Sequence, residues 1–147
     1  MLLPRTHPDR DDRILWPAAA GTWRAVVRRP RETSASTFVF TERGAALLLS
    51  GTAGCGSWSA TGASTFSYRI SEPLWDADGR CRGWVDIDQT AVCRGAGFTS
   101  CGVSRVHDAH GVLRYRVPVA VNADNPEELA RIDALMASAP SSAPIGL

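Results

Sequence analysis

From residue 21 onward, apolar and polar side chains alternate in short runs that are separated by turn-forming residues. Alternation with a period of two is typical of a β-strand that has one buried and one exposed face. Glycine and aspartate dominate the intervening stretches, as at Arg43-Gly44 and Gly95-Ala96. The pattern predicts eight strands, at residues 21–28, 34–42, 45–51, 55–61, 64–72, 82–94, 97–107 and 112–122.

The connections between these runs are short, which favours antiparallel pairing of strands that are neighbours in the sequence. Closing such a meander into a barrel removes the two unpaired edges that an open sheet would leave. Because no helix-length periodic segment interrupts the runs, a parallel α/β fold is disfavoured. The sequence therefore predicts an all-β fold, an eight-stranded antiparallel up-and-down barrel over residues 21–123.

The segments on either side of the barrel have different patterns. Residues 1–20 are rich in Pro, Asp, Arg and Ala without a sustained period, and we expect an N-terminal arm there. Residues 124–137 predict a short C-terminal helix, because an Asp-Asn pair can cap it and Pro126 suits its first position. Its apolar face should pack against the barrel wall or plug one end, and consists of Leu129, Ile132, Leu135 and Met136. Residues 138–147 are expected to be a disordered tail.

Turn positions set the register of the last three strands. A tight turn at residues 95–96 carries Asp86 to a position directly across from Arg105, which is a favourable cross-strand charge pair. The face that holds this pair must point to solvent, so the alternate residues point inward. In the next hairpin we expect His107 to pair with Val112, with the intervening arginines pointing outward. The inner face of the last strand then consists of Leu113, Tyr115, Val117, Val119 and Val121.

The inward positions of all eight strands define what fills the barrel. The large apolar side chains expected there are Trp23, Phe38, Phe40, Trp58, Phe66, Ile70, Ile87 and Val117. The polar ones are Tyr68, Gln89, Ser100, Ser104 and Tyr115, with Glu72 near a rim. Unfilled space should remain beside five small inward residues, namely Ala91, Cys93, Ser100, Gly102 and Ser104. A mostly apolar cavity with a few polar groups is typical of a ligand site, although a barrel of this size can also be filled by its own side chains.

Bulk composition narrows the functional classes. At 147 residues the chain suits one domain with one core. The formal net charge of +1 provides no strong field for nucleic acid or for an anionic membrane surface. No apolar stretch approaches the roughly 18 residues that a membrane-spanning helix needs. The charged N-terminal region also differs from a signal peptide, so we expect a cytoplasmic protein, with a homodimer left open.

The cysteines and the acidic pair are expected to be structural or superficial. The four cysteines form no C-x-x-C pair, and no histidine lies at zinc-like spacing from any of them, so we expect reduced thiols and no metal. A disulfide is the next possibility, followed by a nucleophilic thiol. Asp86 and Asp88 could form a carboxylate pair for acid–base chemistry, but their shared outer face favours a surface charge ladder. The histidines His107 and His110 flank a hairpin tip, where solvated turn residues are expected.

Several short motifs resemble known barrels. Gly21-Thr22-Trp23 at the first strand looks like the G-x-W start of lipocalins and other calycins, and the helix after the eighth strand also resembles that family. In those proteins the tryptophan closes the bottom of the barrel, often beneath an arginine from a late strand, which implies Arg114 or Arg116. The chain looks more specifically like compact actinobacterial barrel proteins of natural-product pathways, on the segments 56–60 (GSWSA), 66–69 (FSYR) and 76–87 (DADGRCRGWVDI).

The resemblance implies a hydrophobic small-molecule ligand or substrate and leaves three functions open. The first is a cofactor-free cyclase or isomerase that folds a polyketide-like intermediate, with Tyr68, Gln89 or Tyr115 polarising a carbonyl and Glu72 acting as a base. The second is a carrier that uses the same cavity without chemistry. The third is a filled barrel that acts through its outer surface. Haem bound by a late-strand histidine, as in nitrobindin-type barrels, is disfavoured because His107 should point outward.

Overall fold

The structure is a computed structural model, and it describes residues 19–50 and 52–138. The described chain forms a closed barrel of eight strands in sequence order, and each strand pairs antiparallel with its neighbours. The strands are β1 (Gly21–Arg29), β2 (Glu32–Phe40), β3 (Ala45–Leu49), β4 (Ala53–Ala60), β5 (Thr65–Trp75), β6 (Cys81–Arg94), β7 (Gly97–Asp108) and β8 (Leu113–Asp124). A helix, α1 (Pro126–Ala137), follows β8. The predicted fold class is confirmed.

Two parts of the prediction lie largely or wholly outside the described residues. These are the N-terminal arm, of which only residues 19 and 20 are described, and the tail beyond residue 138. Within the described ranges, no helix has the length and apolar character needed to cross a membrane.

The register of the β6–β7 hairpin is as predicted, with Asp86 across from Arg105 and Trp84 across from His107. The register of β7 and β8 differs from the prediction. His107 pairs with Leu113 rather than with Val112, and an irregularity at Val106/His107 moves the pairing by one more residue, so that Val106 pairs with Tyr115. The total shift along the rest of β7 is two residues, which keeps the predicted inward and outward faces there.

Aromatic side chains pack one end of the barrel solid, and we call this end the closed half. Phe40 touches five other rings, with Phe66 and Tyr68 nearest at 5.2 Å between ring centroids. Trp23 packs edge-on against Phe98 at 5.0 Å and donates its indole N–H to the carbonyl oxygen of Ala19 at 2.9 Å. The closed half consists of Trp23, Phe40, Trp58, Phe66 and Phe98, all buried. Strand topology explains the grouping, because the starts of odd-numbered strands and the ends of even-numbered strands meet at one end of an up-and-down barrel.

Two expectations about the surroundings of the barrel are wrong. Arg114 and Arg116 lie exposed near the start of β8, at the end of the barrel away from Trp23, so neither can cover that indole. The apolar face of α1 does not pack as predicted, because Leu135 and Met136 are 60% and 71% exposed. The helix cap is present, since the side-chain oxygen of Asn125 accepts the backbone N–H of Glu127 at 3.0 Å.

Candidate ligand cavity

The other end of the barrel contains a cavity of about 540 Å³, and we call this end the open half. The volume lies within the usual range of small-molecule sites, roughly 300–1,000 Å³. Exposed lining residues such as Tyr115 and Glu32 show that the cavity reaches solvent at the hairpins that join β1 to β2 and β7 to β8. The interior is lined mainly by aliphatic side chains, which are Val27, Leu48, Leu74, Val85, Ile87, Val106, Val117, Val119 and Val121.

A buried chain of hydrogen bonds forms the floor of the cavity, where the open half meets the aromatic packing. Ser100 donates its hydroxyl hydrogen to Gln89 Oε1 at 2.7 Å. Because that hydroxyl has one hydrogen, the 2.8 Å bond to Tyr68 must be donated by the phenol. Gln89 in turn donates an amide N–H to the carbonyl oxygen of Val119 at 3.3 Å. Tyr68 and Gln89 line the cavity, whereas Ser100 lies behind them.

Burial controls the protonation of the floor. Burial raises the pKa of Tyr68 well above its ordinary value, and the hydrogen bond with Ser100 lowers it by less. The phenol is therefore neutral at physiological pH and acts as a hydrogen-bond partner rather than a base. The deepest polar groups of the cavity are thus all uncharged.

We call the solvent-facing rim of the open half the mouth. Among the described residues that line the cavity, the charged side chains lie only there. Arg29 contacts Glu32 Oε2 at 3.4 Å and donates to Ser34 Oγ at 3.0 Å. Glu72 accepts the hydroxyl hydrogen of Thr52 at 2.8 Å, which ties the segment before β4 to β5. These contacts fix the rim charges against neighbouring strands.

The distance between floor and mouth limits the chemistry available. Tyr68 and Glu72 lie on the same face of β5, four positions apart. At about 3.3 Å of rise per residue, their Cα atoms are roughly 13 Å apart. The Glu72 carboxylate, held by Thr52 at the rim, and the Tyr68 hydroxyl, held by Ser100 at the floor, are therefore placed to contact different parts of a ligand.

Eight of the residues expected to contact a ligand do line the cavity, and five do not. The eight are Phe38, Tyr68, Glu72, Ile87, Gln89, Ser104, Tyr115 and Val117. Of these, Tyr115 is 58% exposed and belongs to the mouth rather than to the interior. The residues that do not line it are Trp23, Phe40, Trp58, Phe66 and Ser100. The four aromatic ones fill the closed half instead, where they pack against one another.

The small inward residues have a different role from the one expected. Only Ser104 of the five lines the cavity. Ala91 stands across from Phe66 and Cys93 across from Phe98, so their small size accommodates rings rather than leaving space. A Cβ at Gly102 would overlap the carbonyl oxygen of Asp88, so this glycine allows β6 and β7 to approach closely.

Arg29 at the mouth is a residue that sequence reasoning missed, because the basic run from residue 24 to 31 was interpreted as a solvated strand end. The signal was present in the alternation of β1. Trp23, Ala25 and Val27 are buried at every second position, and Arg29 continues the same face. Leu48 was missed in the same way, in the short strand β3.

The outer face of β5–β7 carries a polar network rather than a second carboxylate site. Asp86 accepts the Ser71 hydroxyl at 2.7 Å, and Asp88 pairs with Arg69 at 3.4 Å. His107 lies on this outer face but is not a solvated turn residue, since its side chain is only 17% exposed. It stacks on Trp84 with 5.3 Å between ring centroids, which places it outside the barrel interior.

Neither a cluster of metal ligands nor a disulfide is present in the part of the chain that the structure describes. No group of three or more potential ligands there could hold a metal ion. The four cysteines, Cys55, Cys81, Cys93 and Cys101, form no disulfide within the described residues. Burial raises the pKa of the Cys93 thiol, which lowers its thiolate fraction and its reactivity at neutral pH.

Neither a protein-family model, nor a curated protein, nor a solved structure matches the chain. The cavity and the side chains that line it are therefore the features of this protein that indicate a function.

Proposed function

We propose that the protein binds a small, largely apolar organic molecule in the open half of its barrel. The observation that carries this proposal is the combination of a 540 Å³ space, aliphatic walls and an uncharged polar floor. At about 30 Å³ per water molecule in the liquid, the space corresponds to roughly 18 waters. A ligand of about 15 to 25 non-hydrogen atoms suits this volume.

A ligand explains this space better than further side-chain packing does. Interiors of proteins are close-packed, and voids much larger than one water are few. The closed half follows that rule, because aromatic rings fill it. The inward-facing positions of the open half instead include many smaller side chains, such as valine and serine. Burial of the aliphatic walls by a ligand should contribute roughly 25 cal/mol of favourable binding free energy for each Å² of apolar surface removed from water.

Cofactor-free cyclisation or isomerisation of a hydrophobic intermediate is the second candidate function. The polar floor favours this second function, because Gln89 at the bottom of the aliphatic cavity can hold a carbonyl group of the substrate. Catalysis would then come from confining a flexible chain in a reactive conformation. Since Thr52 holds the Glu72 carboxylate at the rim, away from Gln89 at the floor, binding stands ahead of chemistry in our proposal.

Uptake of the neutral fluorescent dye N-phenylnaphthylamine tests the binding function. We expect the wild-type protein to enhance its emission with saturation at one site. Val117→Phe adds four carbon atoms to the cavity wall and should weaken uptake at least tenfold. Val103→Phe is the matched control, because Val103 lies on the outer face of the adjacent strand and is exposed. Absence of uptake by the wild type, or equal weakening by both substitutions, would refute the proposal.

Mass-resolved chromatography separates the two candidates. A small-molecule extract of the source organism is incubated with substoichiometric protein. A product of unchanged mass and altered retention supports cyclisation or isomerisation, and its formation should slow with Tyr68→Phe or Gln89→Ala. A compound that is depleted and then recovered intact after denaturation supports a carrier and contradicts the catalytic function.

A further inference from the structure

Ser104 places an unpartnered hydroxyl group in the wall of the cavity. The residue is only 5% exposed, yet its hydroxyl makes no hydrogen bond to any residue that the structure describes. Among the described residues, only His107 Nδ1 is a fully buried side-chain polar atom without a partner, so the Ser104 oxygen is reached from the cavity. The hydroxyl of Ser104 is therefore open to a hydrogen bond with a molecule that occupies the cavity.

Gln89 offers a second polar group close to Ser104 on the same wall. Gln89 stands across from Gly102, so Ser104 is its diagonal neighbour on the adjacent strand. Diagonal neighbours in an antiparallel pair lie about 7–8 Å apart between Cα atoms. The Gln89 amide carries two N–H groups, and one of them is donated to Val119. The other can meet a ligand.

The neighbouring lining residues leave no other polar group at this depth of the same wall. Ile87 pairs with Ser104 on one side and Val117 pairs with it on the other. The charged lining residues, Arg29, Glu32 and Glu72, belong to the mouth. An ionised group held at the depth of Gln89 would lose its hydration without a counter-charge, which is costly.

We propose that the ligand is neutral and carries two oxygen functions along one edge, one bonded by Gln89 and the other by Ser104. This inference rests on the proposed binding function and names the class of molecule that the cavity selects. Diketones, hydroxyketones and related polyoxygenated chains have this arrangement, whereas fatty acids and alkyl amines do not. Ser104 is then the residue that makes a ligand with two oxygen functions bind more tightly than a ligand with one.

The test compares two probes that differ by one oxygen function, undecan-2-one and undecane-2,4-dione, by displacement of N-phenylnaphthylamine. A net hydrogen bond in a buried site corresponds to a change in affinity of about three- to tenfold. We expect the wild type to bind the dione more tightly than the ketone by that factor. Ser104→Ala should abolish the preference, so that its affinities for the dione and the ketone become equal. Ser59→Ala, an exposed outer-face serine on β4, is the control that should retain the preference.

The outcomes separate this inference from the binding function. If the dye and the ketone bind but the dione binds no more tightly, only the two-oxygen inference is overturned. The same holds if Ser104→Ala retains the preference, or if undecanoate binds as tightly as the dione. If neither the dye nor either probe binds, the proposed function itself fails. Urea unfolding of Ser104→Ala verifies that the variant is folded, so a loss of preference reports on the site.

Discussion

The hydrogen-bonded floor of the cavity predicts that two substitutions will be strongly non-additive in stability. Tyr68 donates to Ser100, and Ser100 donates to Gln89, at 2.8 and 2.7 Å. Tyr68 and Gln89 are each 1% exposed, and Ser100 is buried as well. Because Ser100 is the middle member, its removal affects both neighbours, whereas removal of the Tyr68 hydroxyl affects only one bond.

The magnitudes follow from counting bonds and unpaired groups. Tyr68→Phe removes one buried hydrogen bond and should lower the free energy of unfolding by about 1 kcal/mol. Ser100→Ala removes two bonds and leaves the Tyr68 hydroxyl and Gln89 Oε1 buried without partners, which should cost about 3 kcal/mol. In the Ser100→Ala background, Tyr68→Phe removes a hydroxyl that is already unpaired. There it should be neutral or stabilising by up to about 1 kcal/mol.

Urea unfolding of the wild type, both single variants and the double variant measures this cycle. The expected coupling energy is about 1–2 kcal/mol. The double variant should therefore be no less stable than Ser100→Ala alone. At this chain length 1 kcal/mol corresponds to a shift in Tm of about 2–4 °C, so thermal unfolding provides a second readout. If the two single effects add to within about 0.5 kcal/mol, the hydrogen-bonded chain described here is not present in solution.

Three further predictions concern the closed half, the strand spacing and pH. Phe40→Ala should cost about 3–5 kcal/mol in urea unfolding, because it leaves a hole among five other rings. Gly56→Ala should cost about 2 kcal/mol or more by the same assay, since its Cβ would overlap the carbonyl oxygen of Arg69 and force β4 and β5 apart. Burial raises the pKa of Tyr68 in the folded state, so the stability linked to this group is complete below its unfolded pKa of about 10 and is lost as pH rises above it. Unfolding measured from pH 8 to 11 should show a smaller decline for Tyr68→Phe than for the wild type.

Matched controls make these results interpretable. Leu49→Ala removes an exposed side chain and should change stability by no more than about 0.5 kcal/mol. Ser57→Ala, at the exposed position beside Gly56, should be equally mild. A loss for Leu49→Ala comparable to that of Phe40→Ala would contradict the location of the core. Parallel pH profiles for the wild type and Tyr68→Phe would contradict the burial of the phenol.

The local pattern of apolar and polar residues was sufficient to predict most of the barrel. Alternation with a period of two identified all eight strands, because one face of each strand is buried and the other meets water. The same alternation assigned Tyr68, Gln89, Ser104 and Val117 to the interior, and the short turn at residues 95–96 was enough for the register of β6 and β7. In β7 and β8 the hairpin closes one residue later than predicted, and the irregularity at Val106/His107 adds one more. Alternation cannot detect the resulting shift of two residues, because it preserves the faces.

Only the tertiary structure decided how the interior is divided between packing and cavity. Alternation predicts that Phe66 and Ile87 both point inward. It does not predict that Phe66 packs among aromatic rings while Ile87 lines the cavity. That distinction depends on the height of each residue along the barrel axis, which the stagger of all eight strands sets together. The exposed face of α1 has a similar cause, because an amphipathic pattern cannot specify whether a partner surface lies within reach. What the sequence by itself determined is therefore which side of each strand faces inward, and what the fold decided is what each inward side chain meets.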